Sequence, residues 1–109
     1  MTDTVKNAYE KALDFFGAGK FREAEVALLE LVNDHPLYAD AYEALGRICY
    51  KLDRLDDAIQ WMNKLSELKP EYAMAHTNLS VFYMKKGMKE KAEEEKAKAT
   101  VLSFGKSNS

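Results

Sequence analysis

The chain has 109 residues, of which 47% are hydrophobic and 31% charged, with a net charge of -2. This composition fits one small folded domain, and it excludes the basic surface that nucleic acid or anionic lipid requires. The start "MTDTVKNAYE" lacks an apolar signal segment, and no apolar run reaches the roughly 20 residues that cross a bilayer, so we expect a cytoplasmic chain.

A period of 34 residues runs along the chain. The stretch "PLYADAYEALG" begins at Pro36, and the similar stretch "PEYAMAHTNLS" begins at Pro70. At the same interval Ala24, Ala58 and Ala92 coincide. A fixed period in this range indicates a stacked array of one supersecondary unit.

Each unit predicts two helices. In the middle unit apolar residues recur at steps of three and four from Tyr42 to Leu52, and again from Leu55 to Leu65. Between the two helices of each unit stands a residue that accepts a left-handed backbone, namely Gly19, Asp53 and Gly87. Pro36 and Pro70 end the second helix of a unit. The sequence thus predicts helix, turn, helix three times, in repeats of about 5–38, 39–72 and 73–106.

The pattern resembles the tetratricopeptide repeat. The middle unit carries the family's positions as Tyr42, Leu45, Gly46, Cys49, Ala58, Met62 and Pro70. The first and third units match more loosely, with Ala8 and His76 at the position of Tyr42. The resemblance covers nearly the whole chain, and it implies an all-α, right-handed solenoid of three antiparallel helix pairs in one domain over 1–109.

The two ends of the array depart from the pattern. Lys11 and Lys96 stand where the other units have apolar residues, as expected of terminal caps. Three repeats meet the minimum for a stable array, although the sequence also fits part of a longer solenoid. Beyond the last cap, Val101, Leu102 and Phe104 either fold back on the array or meet another molecule.

Residues that could carry chemistry are scattered. Cys49 has no partner for a disulfide or a metal, and we expect a small core residue. His35 and His76 have no carboxylate, serine or cysteine at a sequence spacing that nucleophiles or metals use, and packing is the expected role of His76. We therefore predict no catalytic residue, no cofactor, no metal and no enzymatic activity.

The resemblance implies a binding groove along the first helices of the repeats, which holds a peptide or an amphipathic helix. Its side chains have a charged middle and apolar ends: Tyr9, Leu13, Phe16, Asp40, Glu43, Arg47, Tyr50, Lys51, Met74, Thr77, Val81, Met84 and Lys85. An alternative for Leu13 and Val81 is packing between units. The implied function is a protein-interaction module, a scaffold or co-chaperone-like adaptor, and the alternative is self-assembly through the groove or the C-terminal helix.

One activity of similar domains is disfavoured. Those that bind the acidic C-termini of heat-shock chaperones clamp the terminal carboxylate with lysine, asparagine and arginine side chains. The matching positions are Tyr9, Leu13, Ala44, Met74 and Asn78, and this set, which contains no cationic side chain, cannot supply that clamp.

Overall fold

The computed structural model describes residues 2–107, and the side chains of residues 4–105. It contains six α-helices and, within residues 2–107, no strand: α1 Thr2–Gly17, α2 Phe21–Asp34, α3 Ala39–Lys51, α4 Leu55–Leu68, α5 Ala73–Lys85 and α6 Lys89–Ser107. Consecutive helices pack into the pairs α1 with α2, α3 with α4 and α5 with α6. The predicted all-α helical-repeat architecture is confirmed.

A short turn joins the two helices of each pair, and the central residue of that turn has a positive φ. The φ angles are 77° at Gly19, 60° at Asp53 and 80° at Gly87. After Asp53 the backbone N–H of Arg54 donates to the carbonyl of Cys49 at 2.8 Å, and equivalent bonds follow both glycines. This six-to-one hydrogen bond closes a helix end around a left-handed residue. The predicted turn positions are confirmed.

The pairs are joined by loops that contain the two prolines. The helix before Pro36 ends at Asp34, and the helix before Pro70 ends at Leu68. Tyr42 then fixes the first of these loops, because its hydroxyl donates to the carbonyl of Pro36 at 2.7 Å. Each new first helix therefore starts a few residues after the proline and packs on the preceding pair.

Small residues let the helices of a pair approach closely. Ala24 and Ala58 are completely buried. A methyl group added at Gly46 would lie 2.3 Å from the Met62 Cε atom and 3.4 Å from the carbonyl oxygen of Ala58. In the third pair, the hydroxyl of Ser80 occupies the corresponding place and donates to the carbonyl of Ala92 at 2.9 Å.

Cys49 lies in the core of the middle pair and is completely buried. Burial raises the pKa of its thiol to about 11, because a thiolate loses its hydration there. The prediction of a small core residue is confirmed.

The last helix is longer than its counterparts. It has 19 residues, whereas α2 and α4 have 14 each, and Phe104 stands where the other units have proline. Val101 and Phe104 are each 69% exposed, while Leu102 is half-buried. Phe104 nevertheless lines the space between α5 and α6 together with Val81 and Met84, so both alternatives for this segment remain predictions. No helix within residues 2–107 is long and apolar enough to span a membrane.

Candidate binding surface

We call the thirteen predicted groove residues the first-helix face, since they lie on α1, α3 and α5. Its apolar members at the two ends are exposed, from 38% for Leu13 to 52% for Met84. Met74 and Val81 lie between these values. Leu13 and Val81 are thus not buried between units in the described chain. Asp40, Arg47, Lys51, Thr77 and Lys85 are exposed as well.

The aromatic members of the first-helix face are half-buried, because they contact neighbouring helices. The ring of Tyr9 meets Tyr38 edge to face at 5.4 Å between centroids. The guanidinium of Arg47 lies 5.6 Å from the centre of the Phe16 ring. Tyr50 stacks on the buried Phe82 at 5.1 Å. These residues offer a ligand only part of their surface.

Glu43 is also engaged. Its carboxylate accepts a hydrogen bond from the Tyr72 hydroxyl at 3.0 Å. Burial, together with this carboxylate, raises the pKa of Tyr72 to about 12, so the phenol stays a donor at neutral pH. The contact ties the second helix pair to the start of the third.

A groove of about 1050 Å³ lies between α5 and α6, and we call it the C-terminal groove. Its lining includes five members of the first-helix face, namely Tyr50, Thr77, Val81, Met84 and Lys85. The wall formed by α6 contributes small residues such as Ala92 and Ala99, and the charged Glu93 and Lys96. Tyr9, Leu13 and Phe16 do not line it. Phe104 near the end of α6 lines the groove as well, and the volume of the groove is that of a typical ligand-binding cleft.

A second groove of about 510 Å³ lies between α1 and α2, and we call it the N-terminal groove. It was not predicted from the sequence. Its apolar lining includes Val5, Ala8, Phe15 and Val26, and Val26 is 57% exposed. The signal was present in the sequence as apolar residues at helical spacing on the outer side of the first pair.

His76 lies between two polar side chains from the neighbouring helices. Its Nδ1 atom is 2.7 Å from Glu95 Oε1, and its Nε2 atom is 3.3 Å from Ser66 Oγ. The spacing argument missed both partners, since they are 10 and 19 residues away in the sequence. The His76 side chain is only 12% exposed, as a packing role requires, and its polar contacts also link α4, α5 and α6.

The hydrogen-bond connectivity, from serine to histidine to carboxylate, is also that of a serine hydrolase triad. Ser66, however, lies within α4, where the surrounding backbone N–H groups donate to helix carbonyls and cannot form an oxyanion hole. None of the three residues lines either groove. Within the described residues, no group of three or more His, Cys, Asp and Glu side chains could hold a metal ion.

The hydrogen bonds that Glu95 accepts make the stability of the fold depend on pH in the acid range. Burial alone would raise the pKa of Glu95, but hydrogen bonds from His76 and Lys98 outweigh it and lower the pKa below the ordinary carboxyl value of 4.5. A carboxyl group whose pKa is lower in the folded than in the unfolded chain stabilises the fold at pH values above its unfolded pKa. This stabilisation is lost as the pH falls through the pKa of the folded chain.

We expect Glu95→Gln to lower the free energy of unfolding at pH 7, and the difference from the parent to shrink below about pH 4. Urea unfolding of both chains between pH 7 and pH 3 measures this. Glu94→Gln is the matched control, since Glu94 is exposed on the same helix. A difference between parent and Glu95→Gln that is constant over this range would contradict the assignment.

Comparison with known proteins agrees with this geometry. The model of the family described as tetratricopeptide repeat matches residues 9–73. Comparison with curated protein sequences found no match. Among solved structures, MamA superposes with a TM-score of 0.93 at 25% identity, over 96% of this chain. The chain spans 61% of the length of that MamA chain.

A second similar structure is the type III secretion translocator chaperone SycD of Yersinia enterocolitica. Its TM-score is 0.90 at 19% identity, over 94% of this chain and 76% of SycD. Another crystal structure shows SycD in complex with a peptide of the translocator YopD, with a TM-score of 0.89 at 19% identity, over 94% of this chain and 78% of that one. At these identities SycD shows the fold alone.

Proposed function

The chain belongs to the tetratricopeptide repeat family, and from this premise we propose that it is a non-catalytic protein-interaction module of the cytoplasm. Its ligand is a peptide or an amphipathic helix that lies along the first-helix face. The chain then acts as a scaffold or adaptor that holds a partner protein by one short segment.

The observation that carries this proposal is the exposure of large apolar side chains on the first-helix face. Leu13, Met74, Val81 and Met84 are between 38% and 52% exposed on α1 and α5. Methionine and aromatic side chains are common at surfaces that adapt to peptide ligands. The C-terminal groove, which three of this face's apolar side chains help to line, has room for such a ligand.

The charged residues of the first-helix face indicate which charges a ligand would carry. Arg47 and Lys51 are exposed at its middle together with Asp40, and Lys85 lines the C-terminal groove. A complementary segment has apolar residues at both ends and an acidic residue between them. The YopD peptide bound to the similar SycD fold supports the capacity of such an array to hold a short segment.

Random-peptide phage display against the purified chain tests this function. We expect enriched peptides with apolar residues that flank an acidic one. Their affinity, measured by fluorescence polarisation, should fall in the variant Tyr50→Ala, Met84→Ala, by on the order of tenfold for each lost anchor. Helical circular dichroism should persist in this variant.

The matched control is Leu29→Ala, Leu37→Ala, which removes two exposed apolar side chains elsewhere, 41% and 80% exposed respectively. It should bind the selected peptides like the parent. Equal affinity of parent and Tyr50→Ala, Met84→Ala would move the site away from the first-helix face. A library that yields no enriched peptide would contradict peptide binding itself.

A further inference from the structure

The two grooves lie at opposite ends of the array, and each corresponds to one half of the contact that neighbouring helix pairs make inside the chain. Within the chain, α5 packs against the pair α3 and α4. Three polar contacts attach α5 and its N-cap to that pair: Tyr72 to Glu43, Asn78 to Met62 and His76 to Ser66.

The residues of α3 and α4 that make this contact have equivalents 34 positions later, and those equivalents line the C-terminal groove. Glu43, Met62 and Ser66 correspond to Thr77, Lys96 and Thr100, and all three of these line the groove. Tyr50, which stacks on Phe82 of α5, corresponds to Met84, which also lines it. The C-terminal groove is therefore where a further first helix would pack.

The N-terminal groove is the opposite half. Its lining residues Lys11 and Phe15 correspond to Leu45 and Cys49 of the second pair. Leu45 and Cys49 are covered by α2: Leu45 packs with Leu28 and Leu31, and Cys49 Sγ lies 3.9 Å from Glu25 Oε2. The N-terminal groove is therefore where a preceding second helix would pack.

Charged residues at the two ends are complementary under the same correspondence. Inside the chain Glu25 accepts a hydrogen bond from Arg54 at 2.9 Å, which links the first pair to the second. The corresponding residues of the last and the first pair are Glu93 and Lys20, which again have opposite signs.

A second position behaves in the same way. Met62, which is 3.6 Å from the side-chain amide of Asn78, corresponds to Lys96 at the C-terminal end. Asn78 corresponds to Glu10 at the N-terminal end. Both charges are exposed, as are Glu93 and Lys20. The uncharged pair Met62 and Asn78 is thus replaced at the two ends by Lys96 and Glu10, whose charges have opposite signs.

The apolar surface is complementary only in part, because Ala41, Leu45 and Ile48, through which α3 packs on the first pair, correspond to Asn7, Lys11 and Asp14 of α1. The contact of Phe16 with Arg47 corresponds to a contact of Met84 with Leu13, two side chains that are 52% and 38% exposed. The contacts of Glu43 with Tyr72 and of Ser66 with His76 correspond to uncharged pairs, Thr77 with Thr4 and Thr100 with Ala8. None of these correspondences brings two like charges together.

We propose that copies of this chain associate head to tail, with α1 of one copy in the C-terminal groove of the next, and α6 of that copy in the N-terminal groove of the first. The contact has the arrangement of neighbouring pairs inside the chain, with Lys11 and Asp14 in place of the buried Leu45 and Ile48, and the pairs Glu93 with Lys20 and Lys96 with Glu10 set its register. Such an interface is heterologous, so it propagates the array from copy to copy. This assembly goes beyond peptide binding and competes with it, since α1 and a peptide ligand occupy the same C-terminal groove.

Paired charge exchanges test the proposal. One variant exchanges the C-terminal charges, Glu93→Lys with Lys96→Glu, and a second exchanges the N-terminal charges, Glu10→Lys with Lys20→Glu. Each leaves the net charge unchanged but faces its own copies with like charges. Light scattering across a hundredfold range of concentration at low salt should show assembly for the parent, and a loss of affinity of more than about tenfold for each variant alone.

An equimolar mixture of the two variants is the decisive sample, because each interface in an alternating array is then complementary again. We expect the mixture to regain the assembly of the parent. The matched control is Lys64→Glu with Glu67→Lys, an exposed exchange on α4 at side chains 50% and 72% exposed, and it should assemble like the parent. Circular dichroism checks that every variant is folded.

Three results would overturn the proposal. The first is a parent that stays monomeric at every concentration. The second is a charge-exchange variant that assembles as well as the parent, or a mixture that regains nothing. The third is assembly abolished by Leu102→Glu with Phe104→Glu but not by the charge exchanges, which would place the interface at the end of α6. Peptide affinity of the same variants is measured separately, so failure of the proposed function is recognised on its own.

Discussion

Leu45→Ala is expected to lower the free energy of unfolding by about 2–5 kcal/mol. The Leu45 side chain is completely buried, and it belongs to the cluster in which α3 packs against the first helix pair. Its removal leaves a cavity that the surrounding Leu28 and Ile48 cannot fill without moving their helices. Because stability in a repeat array depends on contacts between neighbouring units, the loss weakens both pairs at once.

Urea unfolding followed by circular dichroism measures this loss. Leu37→Ala is the matched control, because Leu37 is 80% exposed in the loop after Pro36, and it should change stability by less than about 0.5 kcal/mol. Similar losses in the two variants would mean that the contact between the first and second pairs does not carry the stability of the array.

Local sequence signals determine the helices and their turns, and these were predictable. The positive φ angles at Gly19, Asp53 and Gly87 follow from the chain's need to reverse within a few residues, which only certain residue types permit. The apolar spacing along α3 and α4 likewise requires only neighbours three or four positions away. Both kinds of signal are readable in a single unit and are repeated in the others.

The candidate site was predictable only in part. Helical phase placed thirteen residues on one side of the first helices, but it could not tell that Phe16 is partly covered by Arg47, or Tyr50 by Phe82. Those contacts depend on the distance between helix pairs. The contribution of α6 to the C-terminal groove was missed for the same reason, since it depends on how closely α6 approaches α5.

His76 shows the limit of spacing arguments most directly. Its partners Ser66 and Glu95 come from two other helices, and neither lies at a distance along the chain that any short motif contains. The repeat itself held the missing information. His76 corresponds to Tyr42, which packs near Trp61 of α4, so a residue at this position contacts second helices rather than its own.

Close approach of α3 and α4 leads to the last prediction, that Ala58→Leu lowers the free energy of unfolding by roughly 1–3 kcal/mol. Ala58 is completely buried, as is the equivalent Ala24, and Ala92 is 1% exposed. The space opposite is occupied by Gly46 and by the end of the Met62 side chain. A leucine side chain adds three carbon atoms where there is no room, so the pair must separate or Met62 must leave its position.

Thermal unfolding followed by circular dichroism tests this prediction, with Ala97→Leu as the matched control. Ala97 is exposed on α6, so the same added atoms meet solvent there, and leucine is nearly as good a helix former as alanine. The control should melt like the parent, whereas Ala58→Leu should melt at a distinctly lower temperature. If both variants melted like the parent, α3 and α4 could not be as close as Gly46 and Ala58 indicate. A further Met62→Ala substitution in Ala58→Leu should restore part of the lost stability, because the volume removed lies where the leucine enters.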